Sequence, residues 1–405
     1  MQKHLRVETA SGRILMLAVV ALVGLNLRPF ITGIGPLAAK VRAGTGLDMQ
    51  GIALLTLVPM LVMGLFAFAG PSLEARIGAS RALIAALVIL ALASFLRLFV
   101  STGVEMEATA ALLGLGAAVV QALFPGIVKR QFPDHVGLVM GLYSATLMAG
   151  GALGAQLAPL IAAASGNWHV GLAWMAFPAL IAAALAMFCL PRHGARRLGG
   201  NAAAALLRRP RTWLLMACFG LVNGGYSTSV AWLAPCYQEH GWASAASGAL
   251  LAIMAVGQAL SALLLPALAG RSEDRRPWLW LTLAMQAAGF AGLVLRPEAA
   301  PFVWVVLLGA GLGGCFSLTM IVALEHLPEP AAAGALSALM QGGGFLIAAI
   351  PPWIVAVLHD MTGSFTPGWL LHLACIAVVM VLTLRLAPRS YERAMKLSQP
   401  APLAL

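Results

Sequence analysis

The chain has 405 residues, of which 61% are apolar and only 10% are charged, and its formal net charge is +11. A soluble protein carries about 25% charged residues, so 14 acidic and 25 basic side chains are too few to cover a globule of this size. The composition therefore excludes a soluble protein and predicts an all-α polytopic membrane protein. The basic residues lie in short clusters between apolar runs, which argues against binding of nucleic acid.

Apolar runs of about 20 residues, the length that spans a bilayer, alternate with charge clusters and Pro/Gly turns. We predict six spans at residues 14–38, 49–71, 82–100, 107–128, 136–163 and 168–190. Six more are predicted at residues 212–236, 244–270, 278–296, 301–324, 332–358 and 367–387. The predicted domains are an N-terminal six-helix half (1–190), a basic linker (191–211), a C-terminal six-helix half (212–390) and a tail (391–405).

The basic residues also predict the orientation of the spans. With the N-terminus in the cytoplasm, 20 of the 25 basic residues fall on the cytoplasmic side, four fall on the other side and one lies inside a span. Cytoplasmic loops of membrane proteins are rich in lysine and arginine. We therefore predict that both termini and the linker are cytoplasmic.

The fifth and eleventh predicted spans share a pattern rich in small residues, and eight of nineteen positions are identical at an interval of 193 residues. The first copy consists of Gly141, Ser144, Ala145, Gly150, Gly151, Leu153, Ala155 and Pro159. Small residues also recur in membrane helices for packing alone. At this spacing, however, the repeat favours two parallel six-span halves, which are typical of secondary transporters with a substrate site between the halves.

Arg28 is the one charged residue that lies well inside a predicted span. An arginine near the bilayer centre costs at least about 2.5–3.5 kcal/mol by insertion scales, and it stays protonated. All 14 acidic residues fall in loops, tails or span ends, so no partner acid is visible. We predict that Arg28 lines a central cavity and binds an anion through its planar fork. The alternative is an arginine that caps backbone carbonyls.

The segment Pro29–Pro36 is dense in proline and glycine, which predicts a bend in the first span. The matching segment of the second half begins at Asn223 and has no arginine, so this half is expected to contribute neutral donors. Phe30 is predicted to form an apolar wall, and the glutamines could instead join helices. The predicted substrate site comprises Arg28, Phe30, Thr32, Gln121, Tyr143, Asn223, Tyr226 and Gln341.

A short charged turn joins the second and third predicted spans. We predict that Glu74, Arg76 and Arg81 in this turn hold one gating state, with simple positive-inside topology as the alternative. No nucleophile motif, phosphate-binding loop or metal-ligand cluster is present in the sequence. We therefore predict that the protein is not an enzyme and has neither a cofactor nor a metal.

With these features the chain resembles the major facilitator superfamily, and more narrowly its cyanate-transporter and 2-nitroimidazole-transporter branch. The strings that carry the resemblance are Leu27-Arg28-x-x-x-Thr32-Gly33-x-x-Pro36-Leu37, Pro125-Gly126-Ile127-Val128-Lys129-Arg130-x-Phe132-Pro133 and Leu336-Ser337-x-x-x-Gln341-x-x-Gly344-Phe345-Leu346. The turn departs from the superfamily pattern, because Ala75 stands where an acid usually precedes the arginine and Glu74 is displaced by one position.

The resemblance implies a transporter of a bacterial inner membrane that moves a small anion, cyanate-like or carboxylate-like, by alternating access. The alternative is a transporter of neutral or drug-like heterocycles such as nitroimidazoles, in either direction. We expect a monomer whose partners are the lipid bilayer and the substrate. No acidic relay is visible in the spans, and protons stay open as a coupling ion.

Overall fold

The computed structural model describes residues 10–47, 49–67, 70–190, 202–242 and 244–395. The helices of the first half are α1 (Ala10–Leu25), α2 (Pro29–Thr32), α3 (Ile34–Thr45), α4 (Met49–Ala67), α5 (Gly70–Ile77), α6 (Ala79–Leu96), α7 (Gly103–Gln131), α8 (Val136–Ser165), α9 (Trp168–Ala173) and α10 (Ala176–Cys189). Those that follow are α11 (Ala202–Leu207), α12 (Pro210–Glu239), α13 (Ser244–Ala269), α14 (Arg276–Leu295), α15 (Pro301–Glu325), α16 (Pro330–Ala348), α17 (Pro351–Thr362), α18 (Thr366–Thr383) and α19 (Tyr391–Met395).

Eleven helical segments in the described part of the chain are long and apolar enough to cross a membrane. The second predicted span corresponds to α4, whose apolar stretch Leu57–Phe66 is shorter. The observed boundaries differ from the predicted ones by a few residues, as for α8, which was expected at 136–163 and runs from Val136 to Ser165. The prediction of an all-α polytopic protein is confirmed.

The predicted linker and tail are described only in part. Residues 191–201 of the linker lie outside the described residues, and the rest of the linker contains the short helix α11. The predicted tail begins with α19, and residues 396–405 lie outside the described residues, as do residues 1–9 at the other terminus.

Local sequence signals fix several helix ends. Thr102 and Glu105 form a capping box at the start of α7, in which each side chain accepts a bond from the other residue's backbone N–H. Gly46 and Gly166 end α3 and α8 with φ of +73° and +68°, a left-handed conformation that glycine adopts without steric cost. These short turns bring consecutive spans side by side.

The spans form one bundle in which α7 and α15 are the most enclosed helices. The two halves meet where α7 packs against α16 and where α8 packs against α13. Large apolar side chains such as Phe177, Phe188 and Trp353 point outward and are exposed, as expected of surfaces that face lipid. We call the end of the bundle with the connecting segments at 70–79, 131–136, 269–276 and 325–330 the basic end, and the opposite end the far end.

Candidate functional site

The first span is interrupted where Arg28 stands. α1 ends at Leu25, and helical structure resumes only at Pro29. Proline has no backbone N–H, so it cannot donate the hydrogen bond that would continue α1 through this point. Arg28 has φ of −123° and ψ of −25°, which differ from regular helix values. A second interruption at Gly33 separates α2 from α3. The predicted bend is therefore present, and Arg28 lies in the first gap.

Bonds from other helices hold this interrupted segment. Oγ1 of Thr32 donates to the carbonyl oxygen of Gly151 in α8 at 2.6 Å. Nη1 of Arg97, at the end of α6, donates to the carbonyl oxygen of Phe30 at 3.2 Å. Nδ2 of Asn26 lies 3.3 Å from a carbonyl oxygen of α10. The segment is thus attached to three helices of its own half, which satisfies polar groups that lipid could not.

The glycine-rich repeat in α8 allows this span to touch the interrupted segment. A Cβ atom on Gly150 would lie 2.3 Å from the carbonyl oxygen of Leu25. One on Gly154 would lie 2.4 Å from Cα of Pro29. Since heavy atoms do not approach so closely, larger residues here would push α8 away from α1 and α2. Packing of small residues therefore determines where Arg28 stands.

The guanidinium of Arg28 lies between the two halves. Its Cζ is 4.3 Å from the ring centroid of Tyr226 in α12 and 5.9 Å from that of Phe316 in α15. Both distances are within the range of a cation–π contact. No residue in the described part of the chain forms a hydrogen bond or an ion pair with this guanidinium. Its donors are free for a ligand.

Tyr143 lies in α8, close enough to Arg28 for the two side chains to interact electrostatically. The side chain is fully buried, and its ring packs against Phe124 with centroids 5.2 Å apart. Its hydroxyl has no hydrogen-bond partner among the described residues. A buried hydroxyl is normally paired, so this oxygen is available to a bound substrate or a water molecule.

Gln121 and Gln341 meet where α7 packs against α16. Nε2 of Gln341 donates to the backbone carbonyl of Gln121 at 3.0 Å. Both side chains are buried, and Oε1 of each lacks a partner in the described structure. The pair therefore joins the two halves and also offers unpaired polar atoms near the middle of the bundle.

Three predicted site residues also make contacts within the helix bundle. Nδ2 of Asn223 donates to the carbonyl oxygen of Phe219 in its own helix at 2.8 Å, which uses one of its two N–H groups. The Thr32 hydroxyl is likewise used by α8. Phe30 is 3% exposed and belongs to the main apolar core of the bundle. Tyr226 presents its ring to Arg28, as a flat surface for the guanidinium.

Arg97 is a functional candidate that the sequence-based analysis missed. Arg97 is one of the four basic residues that the predicted orientation puts on the non-cytoplasmic side, and Arg28 is the one charge predicted well inside a span. In the structure Arg97 is fully buried, whereas Arg28 is half-buried. The signal was its position, since Arg97 lies within the predicted span 82–100, near the end on the side with few basic residues.

The predicted gating residues lie at the basic end. Glu74 in α5 is 7% exposed and accepts a bond from Nη2 of Arg130 at the end of α7, at 2.8 Å. Arg76 and Arg81 are exposed. α5 packs against α16 of the other half. The structure thus brings Glu74 to Arg130 and leaves the other two arginines on the surface.

Lys129 connects the two halves at the same end. Its Nζ donates to the carbonyl oxygens of Leu324 and Leu327, at the end of α15. Close by, a Cβ atom on Gly126 would lie 3.2 Å from Cα of Gly334, so α7 and α16 nearly touch. At the far end, α3 and α17 pack chiefly against helices of their own halves. The halves are therefore joined at the basic end.

The described residues include no group of three or more histidine, cysteine, aspartate or glutamate side chains that could hold a metal ion. The five cysteines are unpaired, and Cys218, Cys236 and Cys315 are buried. The chemistry that these residues support is the binding of a small solute by Arg28, the aromatic rings and the buried polar atoms around them.

Comparison with known proteins places this arrangement in context. The profile of the Major Facilitator Superfamily matches residues 15–352. The chain is 40% identical over 378 residues to the "Cyanate transport protein CynX" of Escherichia coli K12, covering 92% of this chain and 97% of that protein. It is 29% identical over 386 residues to the "2-nitroimidazole transporter" of the same organism, covering 92% and 94%.

Solved structures share the fold at low sequence identity. The proton:xylose symporter XylE aligns with a TM-score of 0.76 and 13% identity, covering 93% of this chain and 96% of that chain. The Escherichia coli fucose:proton symporter FucP aligns with a TM-score of 0.72 and 13% identity, covering 92% and 99%.

Proposed function

This chain belongs to the major facilitator superfamily, and from that premise we propose that it moves a small anion across the bacterial inner membrane by alternating access, with Arg28 as the ligand of the anion. The 40% identity to a protein named as a cyanate transporter supports cyanate, or an anion of similar size, as the substrate. The protein acts in this proposal as a multi-pass membrane carrier and not as an enzyme.

The proposal rests on the guanidinium of Arg28, which lies between the two halves and has no acidic partner among the described residues. Arg28 stands in the first half and stacks on Tyr226 of the second half at 4.3 Å. A bound anion would supply the negative charge that the described residues around Arg28 do not. Because the site is built from both halves, a rocking motion of one half against the other would change its access.

The unpaired polar atoms of Tyr143, Gln121 and Gln341 divide according to the kind of substrate that they suit. The Tyr143 hydroxyl can donate a hydrogen bond and would complete an anion site with Arg28. The free Oε1 atoms of Gln121 and Gln341 can accept hydrogen bonds and suit a substrate that carries an N–H group. In the proposal Asn223 and Thr32 act through the helices they brace.

The second candidate substrate is a neutral heterocycle such as a nitroimidazole. The observation that favours it is the pair of aromatic rings, Tyr226 and Phe316, whose centroids lie 4.3 Å and 5.9 Å from Cζ of Arg28. A flat ring could stack there, with its N–H donated to a glutamine oxygen and its nitro group bonded to Arg28. The 29% identity to a 2-nitroimidazole transporter supports this alternative.

We propose further that the basic end faces the cytoplasm, as the positive-inside rule predicts for both termini and the linker. Since the halves are joined there by Lys129 and by the contact of α5 with α16, this conformation would admit substrate from the far side. Glu74 would stabilise the closed state by holding Arg130 under α5. Arg76 and Arg81 belong to the proposed gate through contacts formed when it moves. The carrier is proposed to act as a monomer.

The test is counterflow in proteoliposomes with labelled cyanate and labelled 2-nitroimidazole as separate probes. We expect saturable counterflow of cyanate that is lost in Arg28→Met, with the purified variant still folded by size-exclusion chromatography. Saturable counterflow of 2-nitroimidazole alone would replace the anion proposal with the alternative. Flux that does not saturate would indicate a channel, and flux of neither probe would overturn both substrate assignments. Repeating the assay with an imposed pH gradient shows whether protons are coupled.

A further inference from the structure

Arg97 is a buried cation at the end of α6, and α2, which follows Arg28, is not among the main packing partners of this helix. α6 packs against α7 and α10, yet the Arg97 side chain extends from its end to the carbonyl oxygen of Phe30, two residues after Arg28. The residue is 0% exposed. Nε and Nη2 have no partner among the described residues, and no described acid pairs with it. Burying a guanidinium without a negative partner costs free energy, which argues against a role for Arg97 in packing alone.

The second half offers a natural comparison, because Arg296 takes the same place there. Arg97 is the C-cap of α6, the third span of its half, and Arg296 is the C-cap of α14, the third span of the other half. Arg296 is exposed. In that half the first span, α12, is continuous and carries no arginine in its middle. The arginine turns inward only in the half whose first span is interrupted.

We infer that Arg97 is a positioning residue for the substrate site, which fixes the depth and direction of Arg28 by holding the α2 segment through the carbonyl of Phe30. The inference rests on the proposed function, since Arg28 is taken as the ligand. α2 has only four residues and lies between two interruptions, so its own hydrogen bonds restrain it little. Thr32 attaches it to α8 on one side, and Arg97 attaches it to α6 on the other.

The chemistry of arginine suits this task. Its long side chain extends from α6 to α2, which is not among the main packing partners of α6, and its planar, permanently charged head binds a carbonyl oxygen more strongly than a neutral donor does. Lysine would keep the charge and one donor at a similar reach. Methionine would keep much of the volume and lose the bond. Comparison of Arg97→Lys with Arg97→Met therefore distinguishes a role in positioning Arg28 from a role in packing alone.

The experiment compares Arg97→Met, Arg97→Lys, Arg296→Met and Arg28→Met in purified full-length protein, with binding of sodium cyanate measured by calorimetry and thermal unfolding measured in parallel. We expect Arg97→Met to raise the Kd for cyanate about tenfold or more, the effect of losing a hydrogen bond to a charged donor. Arg97→Lys should recover most of the affinity. Arg296→Met should bind like the unmodified protein.

The outcomes distinguish this inference from the proposed function. If Arg97→Met unfolds at a lower temperature but its folded fraction binds cyanate with unchanged Kd, Arg97 is merely structural and the inference is wrong. If Arg97→Met fails to fold, Arg97→Lys decides, because a positioning role predicts a measurable but smaller change in Kd and a packing role predicts none. If Arg28→Met binds cyanate normally, the proposed site itself is wrong.

Discussion

The first spans of the two halves share their packing and differ in their chemistry. Glycines of α8 allow close contact with α1 and α2, and the repeated glycines of α16 allow close contact with α12. A Cβ atom on Gly344 would lie 2.4 Å from Cδ1 of Phe219, and one on Gly343 would lie 2.6 Å from Sδ of Met216. The repeat thus preserves which helices touch in each half.

What differs is the place of the interruption. The first half interrupts its first span, between Leu25 and Pro29, whereas α12 runs without interruption over 30 residues. The second half interrupts its fifth span instead, between α16 and α17, where Pro351 follows the break. Only the first half places a charge at its gap. The two halves therefore share their helix packing, whereas we propose that the charged ligand of the substrate comes from the first half alone.

The charge pairs at the basic end show the same relation. In the first half the acid Glu74 lies on the turn and Arg130 at the end of the fourth span, at 2.8 Å. In the second half Arg275 lies on the turn and Glu325 at the end of the corresponding span, also at 2.8 Å. The geometry of the contact is retained and its polarity is reversed. Shape and charge are thus independent features of the repeat.

The largest effect should come from the charged side of the site. Arg28→Lys keeps the charge but loses the bidentate fork, and we expect about 100-fold weaker binding of cyanate, or about 3 kcal/mol. Asn223→Ala, on the neutral side, should change binding about threefold or less, since its amide bonds its own helix. Calorimetry on both variants measures the difference. Equal losses would show that both halves supply ligands.

Next in size is the effect of a methyl group on the two glycine contacts. Gly150→Ala would press against backbone of α1 that cannot move aside, so we expect a loss of about 2–3 kcal/mol in stability. Gly343→Ala would meet only the flexible Met216 side chain, and the higher helix propensity of alanine, about 1 kcal/mol, should offset the strain. Thermal unfolding in detergent ranks the two. The reverse order would contradict the unequal rigidity of these contacts.

The closed basic end provides the third prediction. Lys129→Met removes two charged hydrogen bonds between the halves, and we expect the population that is open at the basic end to rise about tenfold. Spin labels on α5 and α15 would report this shift as longer distances. Arg271→Met, an exposed basic residue at the same end, serves as the control and should change nothing. A shift of equal size in both variants would mean that net charge, not the contact, holds the end closed.

A smaller effect is expected from the aromatic contact across the halves. Tyr226→Leu removes the ring beneath Arg28 and should weaken cyanate binding about fivefold, because the guanidinium loses an orienting contact of about 1 kcal/mol. Tyr226→Phe keeps the ring and should bind within about twofold of the unmodified protein. Binding of 2-nitroimidazole by the same variants sharpens the comparison. Loss of heterocycle binding alone would assign the ring to the alternative substrate.

The last prediction concerns pH. The first half ends its fourth span with Gln131, which does not titrate, but the second half follows α15 with His326, buried and stacked on Tyr391 with centroids 3.8 Å apart. Burial lowers the pKa of His326 from 6.5 to about 4. Because the pKa of His326 is lower in the folded protein than in the unfolded chain, folding favours its neutral form. The free energy of unfolding is therefore highest above about pH 6.5 and decreases as the pH falls toward 4.

Thermal unfolding measured between pH 7.5 and 4.5 checks this expectation. The unmodified protein should lose stability over that range, and His326→Leu should lose less of it, since leucine cannot be protonated. Identical pH profiles for the two proteins would show that His326 is already solvated when the protein is folded.

The sequence predicted the helical segments well because a bilayer imposes a length and a composition on every span. It also predicted the bend after Arg28 from proline and glycine, whose backbone limits are local. It did not predict that Arg97 turns inward or that Lys129 crosses to α15. Both contacts depend on how far a long side chain extends toward another helix, and the tertiary structure sets that distance.

The sequence by itself thus determined that this protein is a twelve-span bundle of two related halves with one charge deep in its first span. Apolar length, basic loops and repeated glycines are properties of neighbouring residues and can be counted. Only the tertiary structure decided which polar groups are already paired and which are free. Asn223 and Thr32 each donate a hydrogen bond to a backbone carbonyl, whereas the donors of Arg28 and the hydroxyl of Tyr143 have no partner among the described residues. The reason is that a hydrogen bond depends on atoms brought together from distant helices, and only folding places them within reach.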